Sequence, residues 1–184
     1  TYGGHRSAVS LAFAKFERAD NMTDLQVALG CLAERVTPER ETSLATFYTR
    51  WRHDALVMDK WFAVQAMSAA PDTLDRVFAL QSHPDYSLTV PNRVRALLGT
   101  FAMRNPVHFH APSGKGYEFV GEQIIALDAI NPSVAARMVS AFNQLERFDP
   151  SLAQMQRAQL ERIIAAPTCS RDVREIAGRA LRQN

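Results

Sequence analysis

Between Ala55 and Ala70 the chain is apolar almost all the way round a helical wheel. Leu56, Val57, Met58, Trp61, Phe62, Val64 and Met67 leave no broad polar face, and a helix of that kind must be covered on several sides. The neighbours therefore have to be elements long enough to shield it. Helical stripes of the right length are present. Val94, Leu97, Leu98, Phe101 and Ala102 recur at the spacing of one helix face, as do Val134, Met138, Ala141, Phe142 and Leu145. Leu152, Met155, Leu160 and Ile163 repeat the pattern with one polar break at Gln159.

The periodicity predicts helices at about 6–19, 23–36, 39–51, 54–69, 71–82, 92–104, 116–130, 132–147, 150–165 and 170–182. Strand alternation is missing. Several starts have a physical cause. Asn131-Pro132 and Asp149-Pro150 place a capping side chain directly before proline at the first helical position, where the absent N–H costs nothing. Thr37-Pro38 and Pro71-Asp72 mark similar starts, and Asn92 is expected to cap the helix after Pro91. Asn105 to Lys115, with two prolines and Gly114, is expected to be the one long loop. Short connections imply antiparallel neighbours. The expectation is an all-α fold, an α-solenoid or superhelix of antiparallel helix pairs forming a single helical domain over 1–184. No strict sequence period is present, which excludes tetratricopeptide and ankyrin arrays.

A balance of 21 Lys+Arg against 19 Asp+Glu gives no large field and no basic run, so no nucleic-acid partner is expected. No stretch approaches the length of a membrane span and no signal segment leads the chain, so no membrane partner is expected. Cys31 falls on an apolar stripe and reads as a small core residue. It lies far from Cys169, and neither sits in a metal-binding spacing, which fits a reducing cytoplasm. The first residue is Thr1 rather than Met and leads at once into a helix, which suggests a boundary inside a longer protein.

Two residues apart in an extended segment, His108 and His110 would face one side. Zinc needs three or four protein ligands, and only Glu118 and Glu122 lie near in sequence, so no metal site is assigned. The simpler reading has Phe109 packing inward while the histidines hydrogen-bond across the loop. Ser113 has no nucleophile elbow around it, and no catalytic residue is assigned. Arg95 and Arg137 carry the binding expectation. Arg95 shares a stripe with Asn92 and Gly99, away from the apolar face, and Gly99 leaves room beside the guanidinium. Arg137 points away from Val134, Met138 and Phe142. A guanidinium is always charged and can hold a carboxylate through two parallel hydrogen bonds. Arg93 is the alternative to Arg95 if the helix is rotated.

The segments RWRHDALVMDKWF and TVPNRVRALLGTFAMRNPVHFHAPSGKGYEF, followed by NPSVAARM and LERFDPSLAQMQRAQLE, resemble the C-terminal domain of bacterial M1-family zinc aminopeptidases of the aminopeptidase N type. A weaker similarity runs upstream through FERADNMTDLQVAL. That family works with HExxH on a helix, a further glutamate as third zinc ligand, and a GxMEN-type loop. The five histidines here, His5, His53, His83, His108 and His110, open no HExxH. The resemblance thus implies a C-terminal fragment of a longer aminopeptidase, inactive alone, with zinc in the parent enzyme and none bound here. It implies the upstream catalytic domain of the same chain and peptide substrates as partners. By matching RVRALLGTF and SVAARM it places cavity-lining arginines at Arg95 and Arg137, with Asn92 beside them. A free-standing solenoid that binds proteins is the rival reading, and it would require a self-sufficient polar surface.

Overall fold

The computed structural model describes the backbone of residues 2–182 and the side chains of residues 7–182; Thr1 and His5 lie outside those side chains. Every regular element among the described residues is helical. The chain forms two compact units, Thr1–His83 and Pro84–Asn184.

The first unit contains α1 (Tyr2–Arg18), α2 (Met22–Ala33), α3 (Pro38–Trp51), α4 (Ala55–Met67) and α5 (Thr73–Leu80). Three of its starts are set by side chains that relieve the unpaired N–H groups of a first turn, while Asp72 gives α5 no such cap. Asn21 accepts from the Asp24 N–H at 2.9 Å, Thr37 accepts from the Arg40 N–H at 3.3 Å, and Asp54 accepts from both Leu56 and Val57. α2 and α4 run side by side in the same direction. Gln26 meets Lys60 at 3.4 Å, the Ser68 hydroxyl donates to the Ala33 carbonyl at 2.7 Å, and the Ala69 N–H donates to Glu34 at 3.0 Å. Alternate helices stacked in parallel are the signature of a helix-pair array.

α4 is central to this unit, with Met58, Phe62 and Ala66 almost wholly enclosed. The Trp61 indole N–H donates to the Leu44 carbonyl at 2.9 Å. α4 is not covered all round, however. It packs on α2 and α3 and on α5, leaving Leu56 68% and Met67 41% exposed. Cys31 is also exposed, contrary to the core assignment. α2 buries Leu25, Ala28, Leu29 and Leu32, and Cys31 lies one turn beyond the exposed Val27, on the other side. Both cysteines are free thiols.

The second unit begins with one helical run in three parts: α6 (Pro91–Val94), a π-helical turn over Arg95–Gly99, and α7 (Thr100–Arg104). It starts at Pro91, two residues earlier than a cap at Asn92 requires. Val90 is the capping residue, and the Asn92 side chain instead accepts from Arg95. α8 (Pro106–Phe109) follows at once, inside the stretch expected to be loop. The cause is the same Asn-Pro signature that starts a helix later in the chain: Asn105 accepts from the His108 N–H at 3.2 Å, and Pro106 occupies the first helical position.

α9 (Lys115–Asp128) is the buried axis of this unit, enclosing Tyr117, Phe119, Val120, Ile124 and Leu127. It begins at Gly114, whose φ of 69° lies in the left-handed region that favours glycine. At Gly116 a Cβ would stand 2.7 Å from the His108 carbonyl oxygen, so α8 can lie against α9 only because that position has no side chain.

α10 (Pro132–Val139) is shorter than the helix expected over 132–147. The Ser140 hydroxyl donates to the Arg137 carbonyl at 2.6 Å, and the run continues as 3₁₀ turns at Ser140–Phe142 and Leu145–Arg147. Phe142 and Leu145 are nevertheless buried. α11 (Pro150–Ala165) and α12 (Arg171–Arg182) complete the unit. Asp149 gives α11 no side-chain cap, so there only Pro150 acts as expected. Asp128, at the end of α9, accepts from the Ser170 N–H at 2.7 Å, just ahead of α12.

Candidate functional site

Within the second unit α7, α10 and α12 border an open groove of about 810 Å³, with the π turn contributing to the same wall. Arg95, Gly99, Thr100, Met103 and Arg104 line one side, Ser133, Ala136 and Arg137 come from α10, and Asp172, Glu175 and Ile176 come from α12. The two arginines singled out in the sequence therefore meet in one cavity, although 42 positions separate them. Arg95 donates to the Asn92 side chain at 2.7 Å, which holds the guanidinium. Asn92 itself is exposed and acts through that contact. Arg93 is buried, so it is no alternative to Arg95.

The local backbone explains the placement of Arg95. The Thr100 N–H reaches back to the Arg95 carbonyl, a five-residue step that widens the turn. Such π turns are frequent at functional sites. At Gly99 a Cβ would stand 3.7 Å from the Arg95 Cβ and 3.8 Å from the Met138 sulfur, in ordinary contact. The glycine is thus a recess in the groove wall over Met138, beside Arg95, and not a sterically forced position.

Arg137 is exposed on α10, while Val134, Ala135, Met138 and Val139 are buried. Among the described residues, neither Arg95 nor Arg137 has a carboxylate partner. The two guanidinium groups share the groove with the carboxylates of Asp172 and Glu175. Of these, Glu175 is paired with Arg179 at 3.0 Å, one turn along α12. Sequence reasoning missed Arg104, Asp172 and Glu175. The i, i+3 spacing of the last two was a readable sign that they share a helix face.

His108 and His110 are not at this groove. Phe109 is fully buried, as expected, but the segment is helical, so the two imidazoles do not lie on one side of an extended strand. The His110 Nδ1 is 2.8 Å from the Tyr117 hydroxyl, and its ring lies over Phe148 with centroids 4.2 Å apart. Burial pushes the His110 imidazole below its usual value and lifts Tyr117 to about 12. Glu118 and Glu122 face α11. Arg162 donates to the Glu118 carbonyl at 3.2 Å and lies 3.8 Å from the Glu122 carboxylate. No three His, Cys, Asp or Glu side chains among the described residues come together as a metal ion would need. The described residues do not fit zinc.

Among the described residues the chain is all-helical, and its second unit carries an arginine-lined groove. Residues 2–182 match a family model described as a domain of unknown function (DUF3458_C) with ARM repeats, and the chain belongs to that family. It is 45% identical to aminopeptidase N of Caulobacter vibrioides over 177 residues, 96% of this chain and 20% of that protein. It is 36% identical to aminopeptidase N of Escherichia coli over 180 residues, 98% of this chain and 21% of that protein. A solved structure of Legionella pneumophila aminopeptidase A in complex with aspartic acid superposes with a TM-score of 0.91 at 35% identity, covering 96% of this chain and 21% of that one. The chain thus spans about a fifth of the length of these relatives and corresponds to their C-terminal part. No helix among the described residues is long and apolar enough to cross a membrane.

Proposed function

We propose that this chain is the non-catalytic C-terminal domain of an M1-type zinc aminopeptidase of the cytoplasm, where it caps the catalytic domain and lines the chamber that receives the peptide. The observation that carries this reading is the meeting of Arg95 and Arg137, two guanidinium groups without carboxylate partners among the described residues, in one groove. In that chamber they would hold the carboxylate-bearing or carbonyl-rich part of the peptide beyond its first residues, and Asn92 would orient Arg95. Zinc polarises the scissile carbonyl and activates water in such enzymes; its ligands would lie in the part of the parent that this chain does not span. The domain's own contribution is positional. It excludes folded proteins and bulk water, and a drier chamber strengthens every charge-assisted contact inside it.

Reconstitution tests this directly. The purified chain should neither retain stoichiometric zinc nor release amino-terminal residues from a peptide. Mixing it with the separately expressed upstream polypeptide should raise peptidase activity above that of either part. Unaided turnover by the chain with bound zinc would contradict the proposal.

A further inference from the structure

Within the first unit α1, α2 and α3 border a cleft of about 270 Å³. Phe16, Leu25 and Phe47, all buried, make its apolar floor. Glu17 from α1 and Arg50 from α3 stand exposed on its border. Among the described residues neither has an ion-pair partner, and the two do not pair with each other. Arg50 is held instead by its neighbour in sequence, with its guanidinium over the Trp51 ring, 5.2 Å from the centroid. A neutral ring fixes the position of the cation without cancelling its charge. Trp51 also lines the cleft, and its indole N–H is buried with no acceptor among the described residues. The other tryptophan, Trp61, gives its N–H to the Leu44 carbonyl. A buried donor left unpaired is costly, and this one belongs to a ring that borders a cavity.

We infer that this cleft binds a free amino acid with an apolar side chain. Glu17 accepts from the ammonium group, Arg50 donates to the carboxylate through its planar fork, and the side chain rests on Phe16, Leu25 and Phe47. Three features select that class of ligand. The volume lies below the range of roughly 300–1,000 Å³ that holds drug-sized molecules, so the occupant is small. One carboxylate and one guanidinium border the same space without meeting, which suits a molecule that carries both charges. A fatty acid would leave Glu17 beside a second anion, and a simple amine would leave Arg50 beside a second cation. The floor residues offer no hydrogen-bonding side chain for a sugar or a nucleobase. Free amino acids are what an aminopeptidase releases, but the chemistry of the cleft carries the inference without that reading. The cleft shares no residue with the groove of Arg95 and Arg137.

The test labels the full-length parent with photoleucine, the diazirine analogue of L-leucine, and maps the adducts by mass spectrometry. Adducts should appear on the peptides carrying Phe13, Phe16, Leu25, Phe47 or Trp51, and excess L-leucine should suppress them. Isoamylamine, which lacks the carboxylate, and isocaproate, which lacks the ammonium group, should each compete roughly tenfold more weakly than L-leucine. Glu17→Gln and Arg50→Gln should each reduce the labelling by a similar factor. Both side chains are exposed, so neither change empties the core. No adduct on these peptides, or adducts that excess L-leucine leaves in place, would overturn the inference. Equal competition by either truncated analogue, or unchanged labelling in either variant, would overturn it too. A label confined to the part of the parent outside this chain would do the same while leaving the proposed peptide-receiving role intact.

Discussion

Two pairs of arginines, Arg40 and Arg76 in the first unit and Arg95 and Arg137 in the second, stand in opposite surroundings. In the first, Arg40 is only 2% exposed and grips Asp72 through both terminal nitrogens while its Nε donates to Glu41. Arg76 joins the same cluster through Glu41 and Asp72. The charges cancel within the fold and tie α3 to the start of α5. In the second unit the centre is aromatic, built from Phe101, Phe109, Tyr117 and Phe142 with His110 at its edge, and Arg95 and Arg137 are left uncancelled in the groove. A guanidinium whose partners are internal is structural. One held by a neutral side chain and open to a cavity is available for an incoming anion.

Breaking the internal cluster should cost most. Asp72→Asn leaves Arg40 enclosed beside a weaker partner and is expected to destabilise the chain by about 1–3 kcal/mol, toward the lower end because Asp72 keeps a third of its surface in water. Urea titration reads this out. The Arg40 hydrogen bond also holds the Asp72 carboxyl below the usual carboxylate range. Its contribution is therefore complete above about pH 4 and is lost as pH falls through the lowered folded value. Asp72→Asn should remove that part of the acid sensitivity.

The aromatic hub predicts a smaller effect at a different pH. Burial depresses the His110 pKa, so the fold favours the neutral ring. Stability should be full above about pH 6.5 and decline as pH falls from there toward the depressed folded value. His110→Phe should flatten that limb of a melting-temperature profile between about pH 5 and 7, although it deprives the Tyr117 hydroxyl of its partner. An unchanged profile would mean that the ring is not held neutral. The smallest effect is expected at Gly99. Gly99→Ala adds a methyl in ordinary contact and should shift stability by no more than about 1 kcal/mol, in the favourable direction of helix propensity. If the recess beside Arg95 is used, the same change weakens peptide binding in the parent enzyme without lowering stability, which calorimetry on one preparation and kinetics on the other would separate.

The helices were legible because stripes such as Val94, Leu97, Leu98 and Phe101 record which face is buried, and all four are buried. What escaped depended on single side chains. Asn105-Pro106 carries the same start signal as Asn131-Pro132, but the glycines and second proline around it suggested a loop. The Ser140 bond that ends α10 leaves no trace in hydrophobic spacing, since a 3₁₀ turn keeps Phe142 and Leu145 inward as a helix would. The π turn that aims Arg95 has no periodic signature at all. Arg95 and Arg137 could be singled out because each lies off an apolar stripe. Their convergence with Arg104, Asp172 and Glu175 is a matter of tertiary placement, which spacing within one helix cannot encode. Cys31 misled for a related reason: a small apolar residue fits either side of a stripe.

The contrast between cancelled and open arginines is tested most directly by Arg137→Ala in the intact parent enzyme. Loss of a charge-assisted contact worth about 1.5–3 kcal/mol should raise KM for peptides roughly tenfold or more while leaving KM for single-residue reporter substrates near its original value. An equal rise for both substrate classes, or no rise for peptides, would contradict the assignment of this groove to the peptide.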